Sequence, residues 1–316
     1  MEYFVESGYD NDENDWARHQ LFRLHDGKLD RGEDSLNMFN WIRRQSRCAG
    51  RPRLVPPPRP MVEALEDRCL LSVAITAISN QTVPAGKTLI VPVSGTDSSG
   101  DPITYSVSSS DSGTAAQVLT GNTFVKISVA GFGDMVLELF NDLTPNTVSE
   151  ITKLMNDGFY NGLTFHRVLP NFVIQGGDPN GDGTGGPGFT FDDEFNANLI
   201  YSGNGQLAMA NSGPDTNGSQ FFVTIGPQRG LDLAYTIFGQ LVEGFNVRDA
   251  IAAVQTDASG KPLTPVVMSD VSIIQDTTDC CLLVTVPSST DTTLSTISVT
   301  GKATDGTDTV QFTAFP

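Results

Sequence analysis

Between two segments of helical period, the apolar residues of this chain come only in short runs bounded by glycine, and this narrows the possible folds more than any other feature. The first helical segment opens with Thr144 as its cap and Pro145 at the first helical position. Val148, Ile151, Leu154 and Met155 then recur at three- and four-residue steps, and Gly158 ends it. The second falls at about residues 247–255, with Val247, Ile251 and Val254 on its buried side. Ahead of the first, Phe124-Val125-Lys126-Ile127 and Met135-Val136-Leu137-Glu138-Leu139 flank Gly131-Phe132-Gly133-Asp134, the pattern of two strands and a turn. The fold class predicted is mainly β: a closed antiparallel β-barrel over residues 122–276, capped by two helices, with additional β-rich segments on either side.

Those flanks differ in composition. Residues 73–121 are rich in Val, Ile, Thr and Ser, and alternate in stretches such as Thr88-Leu89-Ile90-Val91-Pro92-Val93 and Ile103-Thr104-Tyr105-Ser106-Val107. The pattern from Gln81-Thr82-Val83 through Gly100-Asp101-Pro102-Ile103-Thr104-Tyr105 resembles cadherin- or immunoglobulin-like modules of bacterial surface proteins. It is short of the roughly 100 residues of a complete sandwich. It is therefore either a truncated module or one completed by the tail, residues 277–316, where Thr293-Leu294-Ser295-Thr296-Ile297-Ser298-Val299 alternates in the same way.

Residues 1–72 read as a largely disordered leader. Six arginines and no acid fall within residues 41–61, ahead of Val62-Glu63-Ala64-Leu65-Glu66-Asp67-Arg68-Cys69-Leu70-Leu71-Ser72. A basic stretch before a short apolar one has the polarity of an export signal, interrupted here by Glu63, Glu66 and Asp67. Its last eight residues resemble an N-terminal segment of extracytoplasmic proteins in some environmental bacteria. Export to the periplasm, cell surface or medium is one expectation, with translation then starting near Met61; an arginine-rich disordered leader is the other.

Of the formal charge of −18, most lies after residue 72, where 8 Lys and Arg face 24 Asp and Glu. Such a field repels phosphate backbones and anionic membranes, so no nucleic-acid partner is expected. No apolar run reaches the ~18 residues of a membrane span. The four cysteines (Cys48, Cys69, Cys280 and Cys281) have neither metal-ligand spacing nor a disulfide framework.

The chemistry concentrates in Phe165-His166-Arg167-Val168, Phe172-Val173-Ile174-Gln175-Gly176-Gly177-Asp178, Met209-Ala210-Asn211 and Asn217-Gly218-Ser219-Gln220-Phe221-Phe222. Arg167 and Arg229 are the only cations between Lys153 and Arg248, so a lone arginine sits among large apolar side chains, amides and glycines. That combination suits a neutral peptide rather than an anion. In order and spacing these blocks resemble the cyclophilin family of peptidyl-prolyl isomerases, over about half the chain. The resemblance implies catalysis by Arg167, Gln175 and Phe172. It implies a proline pocket of Phe172, Met209, Phe222 and Leu231 with Tyr235 at its rim, and a groove lined by Ala210, Asn211 and Gln220 for the residues before the proline. Gln175 would orient Arg167 and touch the substrate carbonyl. Neither metal nor cofactor is called for, and the implied partners are proline-containing polypeptides. Many relatives carry tryptophan at or near Gly230, so cyclosporin binding is expected to be weak; Tyr235 looks like the bacterial branch.

Three other readings compete. Asp178-Pro179-Asn180-Gly181-Asp182-Gly183 matches the first half of an EF-hand loop, but Phe189 stands where the bidentate glutamate is needed. The same loop lacks the Gly-Lys-Ser/Thr ending of a phosphate loop. His166 has no Gly-x-Ser-x-Gly partner for a hydrolase triad and is expected to be a buried, hydrogen-bonded histidine beside the site. Arg167 in a structural ion pair is the alternative to a catalytic arginine. The function expected is peptidyl-prolyl isomerisation assisting the folding of exported proteins. The alternative is a surface interaction or adhesion protein that binds proline segments without useful turnover.

Overall fold

The computed structural model describes residues 73–287 and 294–315, all within the unit Asp67–Pro316. The leader, with Cys48 and Cys69, lies outside the described residues. In chain order the strands are β1 (Val73–Ile75), β2 (Gln81–Thr82), β3 (Thr88–Asp97), β4 (Thr104–Ser109), β5 (Ala115–Val118), β6 (Thr123–Val129) and β7 (Gly133–Leu139). Helix α1 (Pro145–Asn156) leads to β8 (Thr164–Leu169), β9 (Val173–Asp178), β10 (Gln206–Met209), β11 (Phe221–Thr224) and β12 (Ile237–Glu243). Helix α2 (Phe245–Ala252) precedes β13 (Met268–Ile274), β14 (Asp279–Thr285), β15 (Ser295–Lys302) and β16 (Thr307–Phe315).

Eight strands form one sheet in the order β13-β6-β7-β12-β10-β11-β9-β8. Its two edges meet: Phe165 N–H donates to Val266 O at 2.9 Å and Met268 N–H to Leu163 O at 2.8 Å, closing the barrel. Strand alternation then sorts the side chains. Val125, Ile127, Met135, Leu137 and Leu139 point inward, where α1 (Val148, Ile151) and α2 (Val247, Ile251) close over them. Phe124 and Val136 point outward. The glycines between runs permit the turns, and Gly244 shows why: at φ 81 a Cβ there would stand 2.4 Å from Asp134 O.

Both helices form, each with a difference in detail. Thr144 occupies the cap position of α1, but its hydroxyl turns back to Phe140 O at 3.4 Å. The free N–H groups of the first turn are accepted instead by Glu194, from Asn146 at 3.2 Å and Thr147 at 2.8 Å, a cap supplied from 48 residues away. Helix α2 begins after left-handed Gly244 and ends at Ala252, so Val254 packs on the barrel interior from beyond the helix.

The flanking strands pair with one another. One four-stranded sheet runs β1-β3-β14-β5 and the other β2-β16-β15-β4, and their facing residues, among them Val91, Leu282, Ile297 and Phe312, form a common core. The barrel is thus inserted between β5 and β14 of a two-sheet sandwich. The sheet containing β3 and β14 is covered on both faces. Leu89, Val91, Cys280 and Leu282 face the sandwich core, whereas Ile90, Cys281 and Leu283 pack with Phe124, Phe140 and Val242 on the barrel's outer wall. Residues 88–93, expected to alternate, are instead buried on successive positions, because both faces of the strand are covered. The adjacent cysteines point to opposite faces, both are free, and burial pushes both thiols above their ordinary range. Among the described residues no helix is long and apolar enough to cross a membrane.

Candidate active site

The site lies on the outer wall of the barrel where β8, β9 and β11 run side by side. Arg167 on β8 stands opposite Gln175 on β9, and Gln175 opposite Phe222 on β11. Between Phe165 and Arg167 the β8 ladder slips by one residue, a bulge at His166 that re-aims the side chain after it. Arg167 Nη1 donates to Gln175 Oε1 at 3.1 Å, Gln175 Nε2 to Gln220 Oε1 at 3.0 Å, and Gln220 Nε2 to the carbonyls of Gly183 at 3.0 Å and Gly185 at 2.9 Å. This chain of amides fixes one face of the guanidinium with no carboxylate. Gln175 retains a second amide hydrogen beyond the one given to Gln220.

The structural ion pair anticipated as the alternative for Arg167 is made instead by Arg248. It is 2 % exposed, donates to Thr224 O at 3.0 Å and to Asn204, and pairs with Asp249 at 2.6 Å. Among the described residues the ion pairs are Arg248–Asp249 and Arg229–Asp232, and Arg167 is in neither.

Beside Arg167 the wall is apolar. Phe172, Ala210, Leu231 and Tyr235 are half-buried against the cluster that contains Phe222. The ring of Tyr235 meets that of Phe222 edge-on at 5.9 Å, and the fully buried Tyr201 stacks behind Phe222 at 6.0 Å and 22°. Met209 does not belong to this wall. It alternates with Ala208 and Ala210 along β10, so its side chain turns into the barrel interior with Leu207 and is fully buried there. A one-residue step in a strand reverses the face, and the pocket assignment for Met209 is corrected accordingly.

At the entry end of β11 a groove of about 570 Å³ opens, lined by Gln175, Ala210, Asn211, Gln220, Pro187, Phe189 and Thr216 among others. Three of its expected members, Ala210, Asn211 and Gln220, are present. The amide of Asn211 is engaged with Asp193 at 3.1 Å and Asn217 at 3.3 Å, holding the loop that forms the groove's rim. Gly177 brings the rim close: at φ 82 a Cβ would meet Ser219 O at 2.3 Å, while Ser219 Oγ donates to Gly177 O at 2.7 Å.

Two neighbouring groups resolve the competing motifs. Burial opposes ionisation of Asp178, but the N–H groups of Asn180, Asp182 and Gly183 outweigh it and hold the carboxyl below its usual range. Its oxygens organise the loop itself, and Phe189 stands where a calcium loop needs its bidentate glutamate. His166 is buried as expected, but neither ring nitrogen has a hydrogen-bond partner among the described residues. Desolvation lowers its pKa and keeps it neutral.

The sequence profile described as cyclophilin type peptidyl-prolyl cis-trans isomerase/CLD matches residues 124–273, the barrel just described. Peptidyl-prolyl cis-trans isomerase ppi1 of Schizosaccharomyces pombe is 46 % identical over 136 residues, 42 % of this chain and 88 % of that protein. The chain belongs to the cyclophilin-type isomerase family. Peptidyl-prolyl cis-trans isomerase-like 1 of Homo sapiens is 43 % identical over 157 residues, 49 % of this chain and 90 % of that protein. For isomerase-like 2 of Gibberella zeae, 44 % identity extends over 147 residues, 46 % of this chain but only 25 % of that protein. A crystal structure of a cyclophilin type isomerase from Cryptosporidium parvum aligns over 49 % of this chain and 99 % of that one, at 37 % identity and a TM-score of 0.48. The relatives matched are fungal and human, and they lend the bacterial placement no support. The sandwich lies almost wholly outside the matched residues.

Within the cyclophilin barrel, the residue that sequence reasoning missed is Tyr201. Its hydroxyl donates to Tyr235 O at 3.1 Å, its N–H to Asp232 Oδ1 at 2.7 Å, and its neighbour Ser202 reaches Thr88 O of β3 at 3.1 Å. A lone tyrosine in a Ser/Gly/Asn loop gave no periodic signal.

Proposed function

We propose that this chain catalyses rotation about X-Pro bonds, with Arg167 as the catalytic donor, Gln175 as its orienting partner and Phe172, Phe222, Leu231 and Tyr235 as the seat for the proline ring. The observation that carries the reading is the Arg167–Gln175 contact at 3.1 Å, a guanidinium held by an amide beside an apolar wall. Twisting the amide breaks its resonance against a barrier of ~18–20 kcal/mol and turns the nitrogen lone pair into an acceptor. A fixed N–H donor aimed at that lone pair binds the twisted state more strongly than the planar one, which is the condition for catalysis. A carboxylate on Arg167 would have competed for the same hydrogens. The second hydrogen of Gln175 Nε2 reaches toward the carbonyl preceding the proline, and Ala210, Asn211 and Gln220 line the groove for the residues before it.

Exchange NMR on the whole chain with an Ala-Pro peptide tests this: accelerated cis–trans exchange that Arg167→Ala removes supports it, and exchange at the uncatalysed rate refutes it.

The proposal extends to an exported protein of bacterial type whose sandwich is a cadherin- or immunoglobulin-like module. The basic leader, the Thr- and Ser-rich strands and Tyr235 support that extension. The same sandwich favours the second reading, a surface protein that holds proline segments without turnover. Binding of the peptide without acceleration would select it.

A further inference from the structure

The apolar wall at Phe222 has the groove at the entry end of β11 and, at its exit, the loop 225–235. In that loop Leu231, Asp232, Leu233 and Ala234 make a turn in which Ala234 N–H donates to Leu231 O at 3.1 Å. Asp232 has φ −54 and ψ 129, and Leu233 has φ 54. This is the type II geometry, whose third residue is ordinarily glycine or asparagine because a Cβ is strained there. A leucine occupies it, and its side chain is 59 % exposed.

Neither conformation nor packing accounts for that choice. The turn is nevertheless held rigidly: Asp232 accepts from Tyr201 N–H at 2.7 Å on one oxygen and from Arg229 Nε at 2.6 Å on the other. Alongside it Gly230 leaves open space, with no atom within 4 Å of where a Cβ would stand.

We infer that Leu233 is a specificity-determining residue, presented at this turn to contact a bulky apolar side chain that follows the substrate proline and enters the space over Gly230. The inference rests on the isomerase reading, which assigns residues before the proline to the groove at the other end of the wall. Backbone strain kept in an exposed apolar residue is consistent with a contact completed only by a ligand, since clamping the turn in advance removes the ordering cost on binding.

The test compares two peptides by exchange NMR on the whole chain, one with leucine after the proline and one with glycine. Wild type is expected to favour the leucine peptide about fivefold in kcat/KM, the scale of a partly buried aliphatic contact. Leu233→Gly and Leu233→Asn, both compatible with a positive φ, should bring the ratio near unity, leave kcat/KM for the glycine peptide unchanged and keep or raise the melting temperature. No preference in wild type, a preference that survives both substitutions, or a lower melting temperature in both overturns the inference. If neither peptide is turned over, the isomerase reading falls instead. The same comparison made on peptide Kd values then decides the role of Leu233.

Discussion

Replacing Glu138 by glutamine should stabilise the protein in mild alkali and do nothing comparable in acid. Glu138 lies on the outward face of β7, 1 % exposed, under the sandwich. Oε1 accepts from Asn122 Nδ2 at 2.6 Å, the Cys281 thiol offers a second hydrogen bond, and Oε2 has no partner among the described residues. Desolvation dominates, outweighing the Cys281 and Asn122 hydrogen bonds, with the Asp276 charge adding to it, and pushes the carboxyl up to about 7. In the unfolded chain the same group titrates near 4.5. From pH 4.5 to about 7 the folded state therefore holds a proton that the unfolded state has released. Stability is full below the unfolded pKa and falls as pH rises through the folded one. At 1.36 kcal/mol per pH unit the loss from this group approaches about 3 kcal/mol. Asp279, also raised by burial first and then by Asp276 and Glu243, to about 8, adds a loss of the same sign.

Glu138→Gln keeps an acceptor for Asn122 and cannot ionise, so the difference between variant and wild type isolates this residue from Asp279. Urea unfolding at pH 5 and pH 8.5 is the assay. The variant should gain about 2–3 kcal/mol on wild type between the two conditions, about 5–10 °C in melting temperature for a body of this size. A difference between the two proteins that does not change with pH would mean that the Glu138 carboxyl is solvated and the barrel–sandwich seam wet, and the reasoning would fail.

Arg167→Ala should lower kcat/KM by roughly 10²–10³ while the melting temperature stays within a degree or two, because among the described residues the side chain's hydrogen-bond partner is Gln175. Arg167→Lys should not rescue it, since a point ammonium cannot reproduce a planar guanidinium. Tyr201→Phe keeps the stack on Phe222 but leaves Tyr235 O without its donor, at a cost of about 1 kcal/mol; a several-fold rise in KM with kcat held is expected in the same exchange experiment. Cyclosporin should inhibit only weakly, because the position over Gly230 is open where a large aromatic would add ~2 kcal/mol or more; a nanomolar inhibition constant would contradict this.

The barrel was legible because its signals are local. Proline after a cap residue, apolar steps of three and four, and glycines at turns are each decided within a few residues. What was not legible depends on distant partners. Glu194 takes over the capping of α1 from Thr144 because two backbone N–H groups point at whichever acceptor the fold brings, and spacing does not record it. Residues 88–93 were read as alternating, whereas β3 and β14 bury successive positions on both faces, which a one-sided alternating strand does not anticipate. That the covers are a second sheet on one side and the barrel on the other emerges from the clustering of Leu282 with Ile297 and Phe312 and of Leu283 with Phe124 and Phe140.

The site divides along the same line. Arg167, Gln175, Phe222 and Gln220 could be read together because a side chain's neighbours across an antiparallel ladder follow from register, and the motif spacing carries that register. Met209 was misplaced because a motif names positions without their faces, and β10 alternates regardless of how tightly Met-Ala-Asn is recognised. Tyr201 escaped for a different reason: it lies behind the apolar wall, stacking on Phe222 and holding Tyr235 through its carbonyl and Asp232 through its backbone N–H. Its neighbour Ser202 bonds to Thr88 of β3, so the apolar wall around Phe222 is tied to the sandwich. The sandwich is therefore mechanically continuous with the site, and loosening the Ile90–Cys281–Leu283 face should be felt in substrate affinity before it is felt at Arg167, whose own support runs through Gln175 and Gln220 on the opposite side.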